Sequence, residues 1–255
     1  MKNYLKRFYP YQLIRLSLQS LYAPSKRSIQ PTVNWQHHTF VTPDASSIDS
    51  LLQTIQDTDS LGFEDRGAQL QKKLGFMVHK KLSTIPNAGT GVYLNGRCGP
   101  GQVVCLYPGT VYLPQEPLLL VSLANQYILK CFDGIYVDGK RTGLSGYIYR
   151  SVFYRENWPG ATQISDLTWM SDVPRNPLAI GQMVNNGTNE YPANVCYQEI
   201  DIPKDFTRSL RKWIPNSYYG PTDPFTSTTR IVALVATRQI ENEELFSTYM
   251  DTFHN

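Results

Sequence analysis

Residues 230–249 read Arg-Ile-Val-Ala-Leu-Val-Ala-Thr-Arg-Gln-Ile-Glu-Asn-Glu-Glu-Leu-Phe-Ser-Thr-Tyr. The run Ile231 to Ala236 is the longest uninterrupted apolar stretch of the chain, and at six residues it has the length of a buried strand rather than of a helix. Behind it, Glu243 and Glu244 read as residues that shape a turn into the last segment, not as an acid/base pair. Asn242 suits that turn because asparagine is the commonest non-glycine residue to tolerate positive φ. The stretch therefore predicts a core strand, a tight turn and a short terminal segment carrying Tyr249.

Working outward, the same texture fills the chain from Phe76 onward. Short β-branched and aromatic runs alternate with Gly, Pro and Asn: Gly91–Leu94, Gln102–Tyr107, Tyr127–Cys131, Gly134–Val137 and Asn194–Tyr197. A mainly β domain of many short strands with minor α content is expected at 76–255. No internal repeat marks a propeller or solenoid. Two long connections, about 141–180 and 201–228, lack strong periodicity but are rich in Tyr and Trp. They form either the walls of a substrate cleft or surface insertions with small cores of their own.

N-terminal to this domain, Ile48, Leu51, Leu52 and Ile55 fall at i, i+3, i+4, i+7, which predicts an amphipathic helix within 44–60 that Ser46 or Ser47 can cap. A second helical stretch is expected from about Ala68 to Leu74, stopped by Gly75. Residues 44–75 are thus a helical extension. Residues 1–43 hold six basic side chains and no acidic one, the composition of a basic docking arm or of a mitochondrial transit peptide.

That arm hides the charge of the body, since the net +3 leaves 18 basic against 21 acidic side chains in residues 44–255. Nucleic acid is a poor ligand for such a body, except through the arm, whereas a cationic peptide suits it. No apolar run approaches the roughly 20 residues of a membrane helix, so no membrane insertion is expected. Four scattered cysteines, Cys98, Cys105, Cys131 and Cys196, lack metal-ligand spacing and read as small buried hydrophobes of a reducing compartment, with no metal implied. An intracellular location in nucleus, cytoplasm or mitochondrion follows as the expectation.

Several strings now stand in order: Ala88-Gly-Thr-Gly-Val-Tyr93, Leu106-Tyr-Pro-Gly109, Asp133–Gly139, Met183-Val-Asn-Asn186 with Pro192-Ala-Asn194, and Glu243–Tyr249. Each alone is weak, because a glycine pair or an Asp-Gly step is ordinarily a turn. Together, over about residues 76–251, they resemble the SET-domain methyltransferases. Within that family, Leu106–Tyr112, Asn176–Gln182, Ala193–Glu199 and Glu243–Ser247 are most similar to the SET domain-containing protein 9 group.

The resemblance implies a SET-type fold in which the C-terminal segment threads beneath an earlier loop as a pseudoknot. It further implies S-adenosylmethionine as cofactor, with Gly89, Thr90, Gly91, Val92, Tyr107, Asn185, Asn186 and Tyr249 around it. The implied partner is a protein or peptide bearing a lysine. Asn186 stands where the family usually carries histidine, so an amide replaces an imidazole there. Tyr249 matches the family's terminal catalytic tyrosine; in a chain with 17 tyrosines a buried core tyrosine is the ordinary reading, and its place after Glu244-Leu245 favours the catalytic one. Tyr127 is a candidate for lining the lysine channel, which Phe253 and the aromatic connections are candidates to close. A scaffold that has lost catalysis is the alternative function.

Overall fold

A computed structural model describes residues 42–61 and 63–247 of the chain. Most of the basic arm, together with Tyr249 and Phe253, lies outside the described residues. Helix α1 (Ala45–Asp57) buries Ile48, Leu51, Leu52 and Ile55, the four residues whose spacing predicts it. Its cap is Asp44, not Ser46 or Ser47: the Asp44 carboxylate accepts from Ser47 N at 2.9 Å, and Ser47 Oγ accepts from Asp44 N at 3.4 Å. This reciprocal arrangement satisfies two backbone donors at once, and it places Ser47 three residues inside the helix. Helix α2 (Phe63–Leu74) begins five residues before the expected Ala68, because Gly67 interrupts the apolar pattern without breaking the helix. Gly75, at φ +87°, ends it.

The domain that follows is built from β1 (Phe76–Leu82), β2 (Thr90–Cys98), β3 (Val103–Tyr107), β4 (Gly109–Tyr112), the short helix α3 (Leu119–Ser122), β5 (Ile128–Lys130), β6 (Tyr136–Asp138), helix α4 (Gly143–Glu156), β7 (Asn185–Asn186), β8 (Val195–Ile202), β9 (Asn216–Tyr218), β10 (Thr229–Ala236), β11 (Ile240–Glu241) and β12 (Glu244–Ser247). One sheet runs β1-β2-β12-β8-β10-β3, with β11 added to β2 and β7 to β12; a second runs β5-β6-β4-β9. The expected core strand is β10, buried from Ile231 to Ala236 between β8 and β3. No helix among the described residues is long and apolar enough to cross a membrane.

The two connections without periodicity contain regular structure. The first includes the 14-residue α4, whose apolar and aromatic residues are spread around the helix rather than gathered on one face, so no stripe shows in the sequence. Tyr149 and Phe153 of α4 join Trp169 and Ala179 in a separate small core, in keeping with an insertion that packs on itself. The second connection supplies β9, which pairs in parallel with β4.

The C-terminal strand is threaded. The carbonyls of Glu243 and Ser247 and the pairing of Leu245 with Val92 point to the β12 edge that β2 shares with β7, where Leu94 N and Gly187 N donate at 2.9 and 2.7 Å. Glu244 O and both backbone groups of Phe246 point to the opposite edge, and all three bond Asn194. Because β7 and Asn194 lie on opposite edges, the 187–194 connection between them crosses over β12. The crossing is tight: a Cβ on Gly187 would lie 2.8 Å from Ala193 N. This is the pseudoknot that the resemblance implied.

Asn194 is fully buried, and its carboxamide donates to Glu244 O and accepts from Phe246 N, both at 2.8 Å. Asn194→Ala strands both partners, and a loss of about 2–4 kcal/mol is expected. Urea unfolding checks this as a lowered midpoint at an unchanged slope.

Candidate functional site

The site assembles around the two ends of β12. At the first end, Glu244 is buried between β12 and the 83–89 loop, and its carboxylate accepts from Ser83 Oγ at 2.7 Å, Thr84 N at 2.7 Å and Thr84 Oγ1 at 2.6 Å. Burial by itself raises the carboxyl, but the bonds from Thr84, Ser83 and Tyr93 outweigh it and hold Glu244 below the ordinary glutamate value. Gly91 explains why the group fits: a Cβ there would lie 2.0 Å from Glu244 Oε1. Glu243 instead faces outward in a two-bonded ion pair with Arg238, at 2.6 and 2.8 Å. Asn242 turns the chain at φ +49° and accepts from Gly96 N at 2.8 Å, as its sequence position predicts.

Asn185 joins this end, with Nδ2 placed 3.4 Å from both Thr90 O and Glu244 Oε1. The glycine turn and the asparagine, 95 residues apart in sequence, are thereby brought together. Gly89, at φ +76°, has nothing within 4 Å of where its Cβ would stand, so the turn offers bare backbone on an open side. Thr90 and Asn186 are exposed, whereas Val92 is fully buried in the main core with its side chain turned from solvent.

At the other end of β12, Ser247 Oγ shares a hydrogen bond with Tyr197 Oη at 3.1 Å. The Tyr197 ring meets Tyr107 edge-on at 6.0 Å, and the Tyr107 hydroxyl donates to Tyr127 O at 2.8 Å. Tyr107 and Tyr127 are thus neighbours, though through the Tyr127 backbone rather than its ring. Tyr197 and Ser247 belong to this group but do not stand out in the sequence, where one tyrosine among 17 carries no mark. Their only signals are positional, three residues after Asn194 and two before Tyr249.

Side chains alternate along a strand, so Glu244 and Ser247 leave opposite faces of β12, about 10 Å apart along it. A polar shelf of open glycine backbone and amide lies on one face, and a group of buried phenols on the other. Such a pair of faces can hold a polar ligand on one side and a narrow apolar approach on the other. Glu244→Gln keeps the shape but removes the charge, and a loss of about 1–3 kcal/mol at neutral pH is expected. The sign follows from the depressed folded-state value. The stabilisation is present above the unfolded glutamate value of about 4.5 and vanishes as pH falls through the lower folded value. Wild type and variant should therefore converge in stability as pH falls through that lowered value, read as unfolding midpoints across pH 2–7.

No family model matches the chain. Among curated proteins, the human SET domain-containing protein 9 is 44% identical over 182 residues, which is 71% of this chain and 60% of that protein. The protein of the same name from Pongo abelii is 44% identical over 182 residues, covering 71% of this chain and 66% of its own length. The chain thus spans roughly three fifths to two thirds of these relatives. Solved structures with some likeness include KRYPTONITE in complex with mCHH DNA, an H3(1-15) peptide and SAH, with TM-score 0.36, 16% identity and coverage of 74% of this chain and 27% of that one. Another is ctPRC2 in an autoinhibited conformation bound to S-adenosylmethionine, with TM-score 0.41, 14% identity and coverage of 85% and 20%. Likeness this loose carries no weight beside the sequence relatives. On the strength of those relatives, the chain belongs to the SET-domain family, in kinship with SET domain-containing protein 9.

Proposed function

We propose that the chain is an S-adenosylmethionine-dependent methyltransferase that acts on a protein nitrogen, a lysine amine. The observation that carries the reading is the threading of β12, which sets the open Gly89–Gly91 backbone beside Asn185 on one face and the Tyr107/Tyr197 pair on the other. The residues present fit the cofactor. Bare backbone at Gly89 permits close approach, and the amides of Asn185 and Asn186 provide donors and acceptors for an amine, a carboxylate or an adenine. When bound, the cofactor supplies a methyl group activated by sulfonium charge.

The chain's own part is orientation. Displacement needs a neutral amine in line with the methyl, so positioning supplies most of the rate. A channel walled by phenols and core residues favours the neutral amine because burial penalises its charged form. Tyr249, two residues beyond Ser247, is assigned the task of holding the amine's lone pair in line. The four cysteines, all free and buried, agree with a reducing intracellular compartment. Asn186, in place of the family's histidine, motivates the second reading, a binding module without catalysis.

Tritiated S-adenosylmethionine added to a cell lysate with the chain should label a discrete protein band, with label reduced about 100-fold for Tyr249→Phe. Isothermal titration separates the readings: the enzyme binds the cofactor, with affinity about tenfold weaker for Asn185→Ala. Absence of binding at high micromolar ligand would favour the scaffold.

A further inference from the structure

The start of β10 borders a recess of about 440 Å³, counting its open mouth, between β9, the Arg208–Trp213 turn and residues 164–165. Arg211 lines this recess and is only 1% exposed. Its guanidinium sits between Phe206 and Phe225, 5.6 and 5.5 Å from their ring centres. Nη2 donates to Pro203 O at 2.8 Å and Lys204 O at 3.4 Å, but Nε is buried without an acceptor and Nη1 donates to none of the described residues. No described carboxylate lies within ion-pairing distance. A buried cation left in this condition is costly unless a counter-charge comes from outside the fold.

The other walls say which counter-charge. Ser165 Oγ lines the recess, accepts from Asn157 Nδ2 at 2.9 Å and Ser217 Oγ at 2.8 Å, and also bonds the Tyr149 hydroxyl, so its hydrogen bonding is met inside the fold. Asn216 Nδ2 donates to Tyr107 O at 3.0 Å and Gly109 O at 3.4 Å, which fixes the orientation of the amide. Its Oδ1 is therefore a genuine buried acceptor, and it has no donor. Glu156 also lines the recess, but Arg155 engages its carboxylate at 2.6 Å. Asp223 acts on Arg211 only at longer range. The site offers unmatched donors and a positive charge together with one unmatched acceptor.

We propose that this recess binds a phosphate oxyanion, either free phosphate or a phosphoryl monoester. Phosphate at neutral pH carries acceptor oxygens for Arg211 and retains an O–H, or reaches one by protonation, for Asn216 Oδ1. Sulfate has the same shape without the proton. The site is separate from the methyl-transfer reading and stands or falls without it.

The test is a thermal-shift and 31P NMR titration of the full chain at constant ionic strength with inorganic phosphate, O-phosphoserine, sulfate and chloride. Phosphate should raise Tm saturably and broaden its own 31P line, with sulfate at least about tenfold weaker. A stronger response to O-phosphoserine assigns the site to monoesters, and a stronger response to phosphate assigns it to the free ion. Arg211→Met should abolish the response. If that variant does not fold, Arg211→Lys, which keeps the charge but loses the planar fork, should weaken binding severalfold. S-adenosylmethionine affinity should be unchanged in either folded variant. Equal responses to phosphate, sulfate and chloride, or no saturable response, would mean that only water occupies the recess and would overturn the proposal.

Discussion

The fold depends on how one four-residue strand is held at both edges. β12 has few residues with which to bury apolar surface, so its place is fixed by hydrogen bonding, and one side chain supplies much of that bonding. Asn194 imitates a strand: its carboxamide supplies a donor to Glu244 O and an acceptor to Phe246 N, while its own backbone serves Phe246 O and Thr237 N. Asparagine alone among the short side chains carries a donor and an acceptor at the reach of a peptide group. With those bonds in place the other edge of β12 can pair with β2 and β7, and Glu244, Asn185 and the glycine turn meet as a consequence.

Local patterning made some of this legible. α1 and β10 are visible because their apolar residues repeat at the period of the element or run unbroken, and burial follows that pattern directly. α4 is invisible for another reason: its buried face includes Ser145 and Gly146 beside Tyr149, Val152 and Phe153, while Leu144, Tyr147 and Tyr154 stand exposed on the other side, so no apolar stripe shows. β7 and β12 are too short for a period to show, and their pairing is fixed by partners in distant parts of the chain. The Asp44 cap has a local signature, since Asp-x-x-Ser satisfies the geometry of a capping box, and Ser46 and Ser47 already lie inside the first turn.

The candidate site was legible through resemblance more than through chemistry. Gly91 and Asn185 look like turn residues until Glu244 is placed between them, and Glu244 looks like a surface acid until Ser83 and Thr84 are seen to enclose it. Tyr107 is buried beside Tyr197, which nothing in the sequence distinguishes from the other tyrosines. Residues that act through a partner far along the chain have no local signature, because their meaning is created by topology.

The crossing of residues 187–194 over β12 also orders events in time. During synthesis the ribosome delivers the hairpin β1–β2, the β8–β10 pair and the crossing connection before the strand that must pass beneath it. Until that last segment is inserted, Asn194 is a polar group in a half-built interior and the glycine shelf has no floor. A nascent chain therefore carries an open slot flanked by unpaired strand edges, the kind of surface that invites capture by chaperones or by another copy's strand. Competence for ligand arrives in one step, when β12 inserts, rather than growing with the chain.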